Sequence, residues 1–334
     1  MKVTIVEVAK AANVSVATVS RVINGNYPVK KETKEIVLKV IEELEYTPNT
    51  QARDLIKQQS STIGVVVPSV NNMFFTNVIN GIENYFEGTQ YSIFLCITNH
   101  DKKKEIDRIN ELIARNVAGI IVVDPNVENS RSKYFKNISK STPIVFVNGY
   151  NNSSHISSVR NDEEVGCEIV MEYLLENNHK NILFIRGENS YSYDIKEKVY
   201  REIMEEHKNL REDYIINIGK GNDLETVNKS TEEGIRLLNQ NNEISAVFAC
   251  NDLMAIGIVN ACKSIGKKIP DEISIVGYDN IELSEMITPK LTTVDQNMYL
   301  LGENAGILLM EKIENGNKYS KKILLNNKLI KRET

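Results

Sequence analysis

Hydrophobic positions recur along the chain with two different periods, and the change from one to the other falls near residue 62. Before it, the spacing is helical. Ile5, Val8, Ala9 and Ala12 share one face of a short first helix, and Val19, Val22 and Ile23 recur at i, i+3, i+4 on a second. Between them, Asn13 tolerates the left-handed backbone of a tight turn, and Ser15 stands where an N-cap would satisfy free amides. A third run places Val37, Val40, Ile41 and Leu44 on one side with Lys39, Glu42 and Glu43 off it, and Pro48 is expected to end it. Three such helices can share one small core, and the tight turn between the first two predicts helix-turn-helix geometry.

Beyond residue 62 the apolar residues come in continuous runs, at 63–67, 91–97, 119–123, 143–147, 181–185, 246–249 and 273–276. Continuous runs suit strands buried on both faces. Amphipathic segments of helical length lie between them, at 74–86, 106–115, 165–175 and 253–264. Strands alternating with helices predict an α/β body of parallel sheets behind the small all-α head.

The polar side of the second helix is unusual. Ala17, Arg21 and Asn24 lie opposite the apolar face, Thr18 and Ser20 flank it, and Val16 borders the core side. A solvated helix normally carries long charged groups there. Small residues let a helix sit deep in a groove, hydroxyls donate to phosphate oxygens, and an arginine reaches guanine O6 and N7 bidentately. An ordinary amphipathic helix poor in charge is the competing reading, and the three-helix context favours the DNA reader.

Ligands of open parallel sheets bind at the carboxyl ends of the strands. Asn148 follows the apolar run at 144–147, Asn251 and Asp252 the run at 246–250, Asp279 the run at 273–278, and Gln296 the run at 291–294. Planar amides and a carboxylate converging on a cleft suit a hydroxyl-rich ligand. Each alone is equally well a loop residue.

Length and charge agree with this plan. The chain has 334 residues, 41% hydrophobic and 25% charged, with a formal net charge of −5. Residues 1–60 carry nine Lys or Arg against seven Asp or Glu, and the acidic excess lies in the remainder. A weakly basic head on an acidic body suits a DNA binder whose body should not adhere to phosphate. The four cysteines, Cys96, Cys167, Cys250 and Cys262, have no CxxC spacing, which argues for buried thiols rather than a metal site or disulfides. No signal peptide or long apolar span is found, so a cytoplasmic protein with no membrane partner is expected. The motifs GxxxxGK[ST], GxSxG, HExxH and GxGxxG are missing, and no enzyme activity, cofactor or metal is expected.

The run Thr4-Ile5, Val8-Ala9, Ala12-Asn13-Val14-Ser15 and Thr18-Val19-Ser20-Arg21-Val22-Ile23-Asn24-Gly25 resembles the DNA-binding head of LacI-family transcription regulators. Tyr46-Thr47-Pro48-Asn49 with Ala52-Arg53-Asp54-Leu55 resembles that family's hinge helix. The resemblance implies a head at 1–47, a hinge helix and linker at 48–61, and a two-lobed, periplasmic-binding-protein-like core at 62–334. The lobes would divide near 160 and again near 290, with a helix at 298–313 and a strand at 322–325 crossing back. On residues alone, 49–61 could equally be a plain linker.

The likeness implies a homodimeric regulator, a repressor of carbohydrate genes, on a pseudo-palindromic double-stranded operator and answering to a sugar-like effector. Val16, Ala17 and Arg21 would read base edges, and Thr18, Ser20, Asn24 and Tyr46 would contact phosphates. Leu55 would wedge into the minor groove, with Ala52 small to allow close approach. Asn251, Asp279 and Gln296 match effector-site positions, and Phe75 and Phe248 match apolar walls. Lys196 stands where the family usually has arginine, and Asn161 where an aspartate is common. Lysine cannot form the guanidinium fork, so the ligand of a particular relative does not transfer. Two rivals remain: control by a phosphoprotein, which needs a basic patch that 302–308 lacks, and an enzyme with a regulatory head.

Overall fold

Helix α1 (Ile5–Ala11) begins at Thr4, whose hydroxyl accepts from the Glu7 amide while the Glu7 carboxylate accepts from the Thr4 amide. This reciprocal cap fixes the first turn. Asn13 then adopts φ 51°, the left-handed turn its side chain tolerates, and Ser15 caps α2 (Val16–Asn24) by accepting from the Thr18 amide at 3.1 Å. Helix α3 (Lys31–Glu43) completes the bundle, and Val8, Ala9, Ala12, Val19, Val22 and Val37 form its core. The third helix stops before Pro48: Glu45 turns left-handed at φ 47°, and the Tyr46 amide donates to the Ile41 carbonyl. The expected proline stop is therefore corrected to a local left-handed terminator.

The computed structural model describes residues 3–25, 27–47, 60–149, 156–316 and 320–334, which form two units that divide between Ser60 and Ser61. The side chain of Asn24 and the segment containing Ala52 and Leu55 lie outside the described residues.

In the second unit a six-stranded parallel sheet carries the order β11-β5-β4-β3-β1-β2, built from β1 (Thr62–Val67), β2 (Ser92–Ile97), β3 (Gly119–Val123), β4 (Ile144–Val147), β5 (Ser157–Asn161) and β11 (Lys322–Leu325). Helices α4 (Met73–Phe86) and α13 (Met298–Glu314) cover one face and α5 (Lys102–Ala114) the other; two short helices, α6 (Val127–Arg131) and α7 (Lys133–Ile138), follow β3. Helices α4 and α13 approach closely because Gly81 and Gly302 lack side chains: a Cβ on the first would collide with the Tyr299 carbonyl oxygen, and on the second with that of Val78. A four-stranded parallel sheet, β7-β6-β8-β9, forms the other lobe from β6 (Ile182–Arg186), β7 (Ile215–Asn217), β8 (Ala246–Ala249) and β9 (Ser274–Val276). Its helices are α8 (Glu163–Glu176), α9 (Tyr191–Glu206), α10 (Leu224–Gln240), α11 (Asp252–Ile265) and the short α12 (Leu283–Met286). A two-stranded antiparallel pair, β10 (Thr293–Asp295) with β12 (Lys328–Ile330), completes it.

The chain crosses between lobes after β5, again after β10, and a third time between β11 and β12. The crossings are tied side by side: Asn161 Nδ2 donates to Gln296 Oε1 at 2.8 Å, and Asn327 Nδ2 donates to the Asp162 carbonyl at 2.9 Å. Two strands depart from the apolar pattern. Strand β5 is largely polar and buried, and the edge strand β2 leaves Phe94, Leu95 and Ile97 exposed although its run is apolar from Ile93 onward.

Candidate functional site

The head presents one face to solvent. Ala17 and Arg21 are exposed, Val16 is 40% exposed rather than turned to the core, and Thr18 and Ser20 are half-buried beside them. The Arg21 guanidinium lies 5.4 Å from the ring centroid of Tyr27, itself 66% exposed, a neighbour that sequence reasoning missed. The Thr18 hydroxyl is 2.9 Å from that of Ser15, and Tyr46 packs against the head's core with its flank in solvent. Small residues, a stacked arginine and hydroxyls on one protruding helix are the chemistry of a groove reader.

In the core, the carboxyl ends of both sheets face one another across a narrow cavity. Among the residues singled out from sequence, Phe75, Asn148, Lys196, Asn251, Asp279 and Gln296 line it. Phe248 does not: it lies in the middle of β8, fully buried, stacked into the second lobe's core with Phe184 and Tyr278. Asn161 is also absent from the lining, because it belongs to the first crossing and holds Gln296 from behind. Asp252 is wholly internal, accepting from the Ile281 amide and the Thr293 hydroxyl, so it fixes the loop that carries Asp279.

Most cavity groups are held by their neighbours. Asn251 caps α11 through the Met254 amide and donates to the Gly221 carbonyl at 2.6 Å and the Tyr193 hydroxyl at 3.1 Å. Gln296 Nε2 donates to Asp279 Oδ1 at 2.5 Å. The Lys196 ammonium is buried, 3.1 Å from the Cys250 carbonyl, 3.5 Å from Glu163 Oε2, and 3.4 Å from the Tyr278 ring centroid. These contacts replace the fork an arginine would have offered.

Residues not foreseen complete the cleft: Asn72 at the start of α4, Asp124 beyond β3, Ser190 and Tyr193 at the entry to α9, and Asn222. Asn72 and Asn222 meet across it at 2.7 Å. The Ser190 hydroxyl donates to both oxygens of Asp124, at 3.3 and 3.4 Å. Burial lifts the Asp124 carboxyl to about 7, and burial likewise pushes Asp279 upward and the Cys250 thiol to about 12. The strand-end rule that picked Asn148 and Asp279 also marks Asp124, Asn72 and Ser190, each of which follows a strand. No cluster of His, Cys, Asp or Glu among the described residues could hold a metal ion, and no described helix is long and apolar enough to cross a membrane.

Comparison with known proteins agrees with both halves of this geometry. Residues 4–49 match the bacterial regulatory proteins of the lacI family, and residues 171–334 match a periplasmic binding protein-like domain. The catabolite control protein A of Priestia megaterium is 35% identical over 312 residues, 92% of each chain. The ribose operon repressor of Halalkalibacterium halodurans is 33% identical over 332 residues, 99% of this chain and 96% of that one. A crystal structure of the lac repressor dimer bound to operator and the anti-inducer ONPF superposes with a TM-score of 0.88 at 25% identity, covering 100% of this chain and 99% of that one.

Proposed function

Since this chain belongs to the lacI family of bacterial regulatory proteins, and is therefore a DNA-binding transcription regulator and not an enzyme, we propose that it works as a homodimeric repressor of carbohydrate genes in the cytoplasm. Its operator is a pseudo-palindrome, read through Val16, Ala17 and Arg21 in the major groove, with Thr18, Ser20, Asn24 and Tyr46 on phosphates and Leu55, beside Ala52, as minor-groove wedge. The observation that carries the reading is the single solvent face of α2, where every long charged side chain but Arg21 is missing.

Dimerisation is supported by the exposed apolar side chains of the edge strand β2 and by Leu224 and Met286, 76% and 71% exposed on the second lobe. A small hydroxylated effector is held between the lobes by Asp279, Asn148 and the lining around them. Because the ligand touches both lobes, it fixes the angle between them, and it alters DNA affinity only by its differential affinity for the two arrangements. The ribose operon repressor among the relatives favours a sugar-like signal. A phosphoprotein signal is disfavoured because the first turns of α13 show solvent Glu303, Asn304 and Ile307 and no cation.

The test is selection of bound DNA from a random pool, followed by affinity measurements with and without sugars. A palindromic consensus whose occupancy falls or rises with one sugar is expected. A non-palindromic preference would overturn the dimer, and indifference to every sugar would overturn the effector.

A further inference from the structure

Donors and acceptors facing the cavity are not balanced. Its main donors are already engaged: Asn251 on Gly221 and Tyr193, Gln296 on Asp279, and Lys196 on Cys250 beside Glu163. Several acceptors are not. Among the described residues, Asn148 Oδ1 is buried without a partner, on a side chain only 6% exposed. The Asp124 carboxylate has only the long contacts from the Ser190 hydroxyl, and Asp279 takes Gln296 on one oxygen, leaving the other.

Asp124 and Asn148 are neighbours. Strands β3 and β4 pair in parallel through Val123 and Val147, and the Asp124 amide donates to the Val147 carbonyl at 2.8 Å. Asp124 and Asn148 are thus the next residues on adjacent strands, both turned left-handed, at φ 45° and 58°. The cavity's one cation among the described lining residues, Lys196, is already matched by Glu163, and no arginine lines it. Two buried carboxyl groups therefore lack a cation of their own, beside an amide oxygen that also lacks a donor.

We propose that the effector carries a cationic amine beside its hydroxyls, an amino sugar in chemical class, with the ammonium held by Asp124 and the Asn148 amide oxygen and the hydroxyls by Asp279. An ammonium brings three donors and a charge, matching this excess of acceptors, and charge-assisted bonds of this kind exceed neutral ones. A sugar acid or phosphosugar would add anions to a cleft with no free cation. The inference rests on the cleft being the effector site, as proposed above, and names what enters it.

The experiment measures melting temperature and calorimetric affinity at pH 7 for matched sets: glucosamine, galactosamine and mannosamine against their parent hexoses, their N-acetyl forms and their 6-phosphates. At least one amino sugar is expected to bind ten-fold or more tighter than its hydroxyl and N-acetyl counterparts. Asp124→Asn is expected to bring that ratio near one. A neutral or anionic member that binds as tightly as the amine overturns this proposal while leaving the sugar-like effector standing. Silence from every set overturns both. Should Asp124→Asn fold poorly, the ranking on the unaltered protein decides alone.

Discussion

Asn72 Nδ2 donates to Asn222 Oδ1 across the cleft at 2.7 Å, joining the first turn of α4 in one lobe to the loop before α10 in the other. Both residues line the cavity, so the bond that holds the lobes together also walls the ligand site. The apolar contacts continue across it, since Leu253 and Ile281 of the second lobe pack into the first lobe's core cluster.

Asn222→Ala removes this bond while leaving Asn72 Oδ1 to cap α4 at the Phe74 amide. A buried hydrogen bond of this kind contributes about 1 kcal/mol, so the ligand-free equilibrium between closed and open lobes should shift several-fold toward open. Distance distributions between labels on the two lobes would report it. An unchanged distribution would show that the remaining contacts, the apolar ones and the Ser190–Asp124 bond, hold the closure without it.

Arg21→Ala should abolish discrimination between operator and random DNA without unfolding the head, because Arg21 is exposed and its guanidinium lies over the exposed Tyr27 ring. The expected loss is about 1–3 kcal/mol at the contacted base pair. Competition binding against base-substituted operators is the measurement. Retained base preference would move the reading face off this residue.

Asp279→Asn keeps the acceptor for Gln296 and the shape of the strand end but removes the charge. The variant should fold, dimerise and bind operator, yet lose most of its response to the effector. Operator affinity with and without saturating ligand tests this, and an undiminished response would place the signal elsewhere on the core.

Stability should depend on pH through Asp124. Its carboxyl, lifted from an ordinary 3.8 to about 7, binds its proton more tightly in the fold than in the unfolded chain. The stability it contributes is complete below about pH 4 and is lost as pH rises through 7. Asp124→Asn should therefore match the unaltered protein at pH 4 and below, gain on it steadily between pH 4 and 7, and exceed it by up to about 4 kcal/mol at pH 8. Thermal melts across that range decide it; a constant difference would deny the titration.

The elements that were legible in the sequence are those whose burial is apolar and local. Strands β1, β3, β4 and β8 show as hydrophobic runs, and α1 to α3 as helical stripes, with the Ser15 cap of α2 in place. Strand β5 was not legible because its polar side chains find partners far along the chain: Ser157 Oγ accepts from the Lys321 amide, and Asn161 reaches Gln296. The same distance explains the misplacement of Asn161 and Phe248, for which residue type gives no hint of whether a side chain looks into the cleft or behind it. Asp124 was within reach of the strand-end argument, and its neighbour Asn148 was found by it.

The second crossing, which returns the chain to the first lobe to lay down α13 and then β11, orders events during synthesis. The head is contiguous and complete once residue 47 has emerged, whereas the first lobe lacks its sixth strand until residue 325. At roughly 5–20 residues per second, a nascent chain carries a folded reading head for something like 15–55 s before any cleft exists to receive a signal. During that interval its affinity for DNA is that of an unpaired head, with neither a partner nor a signal to alter it.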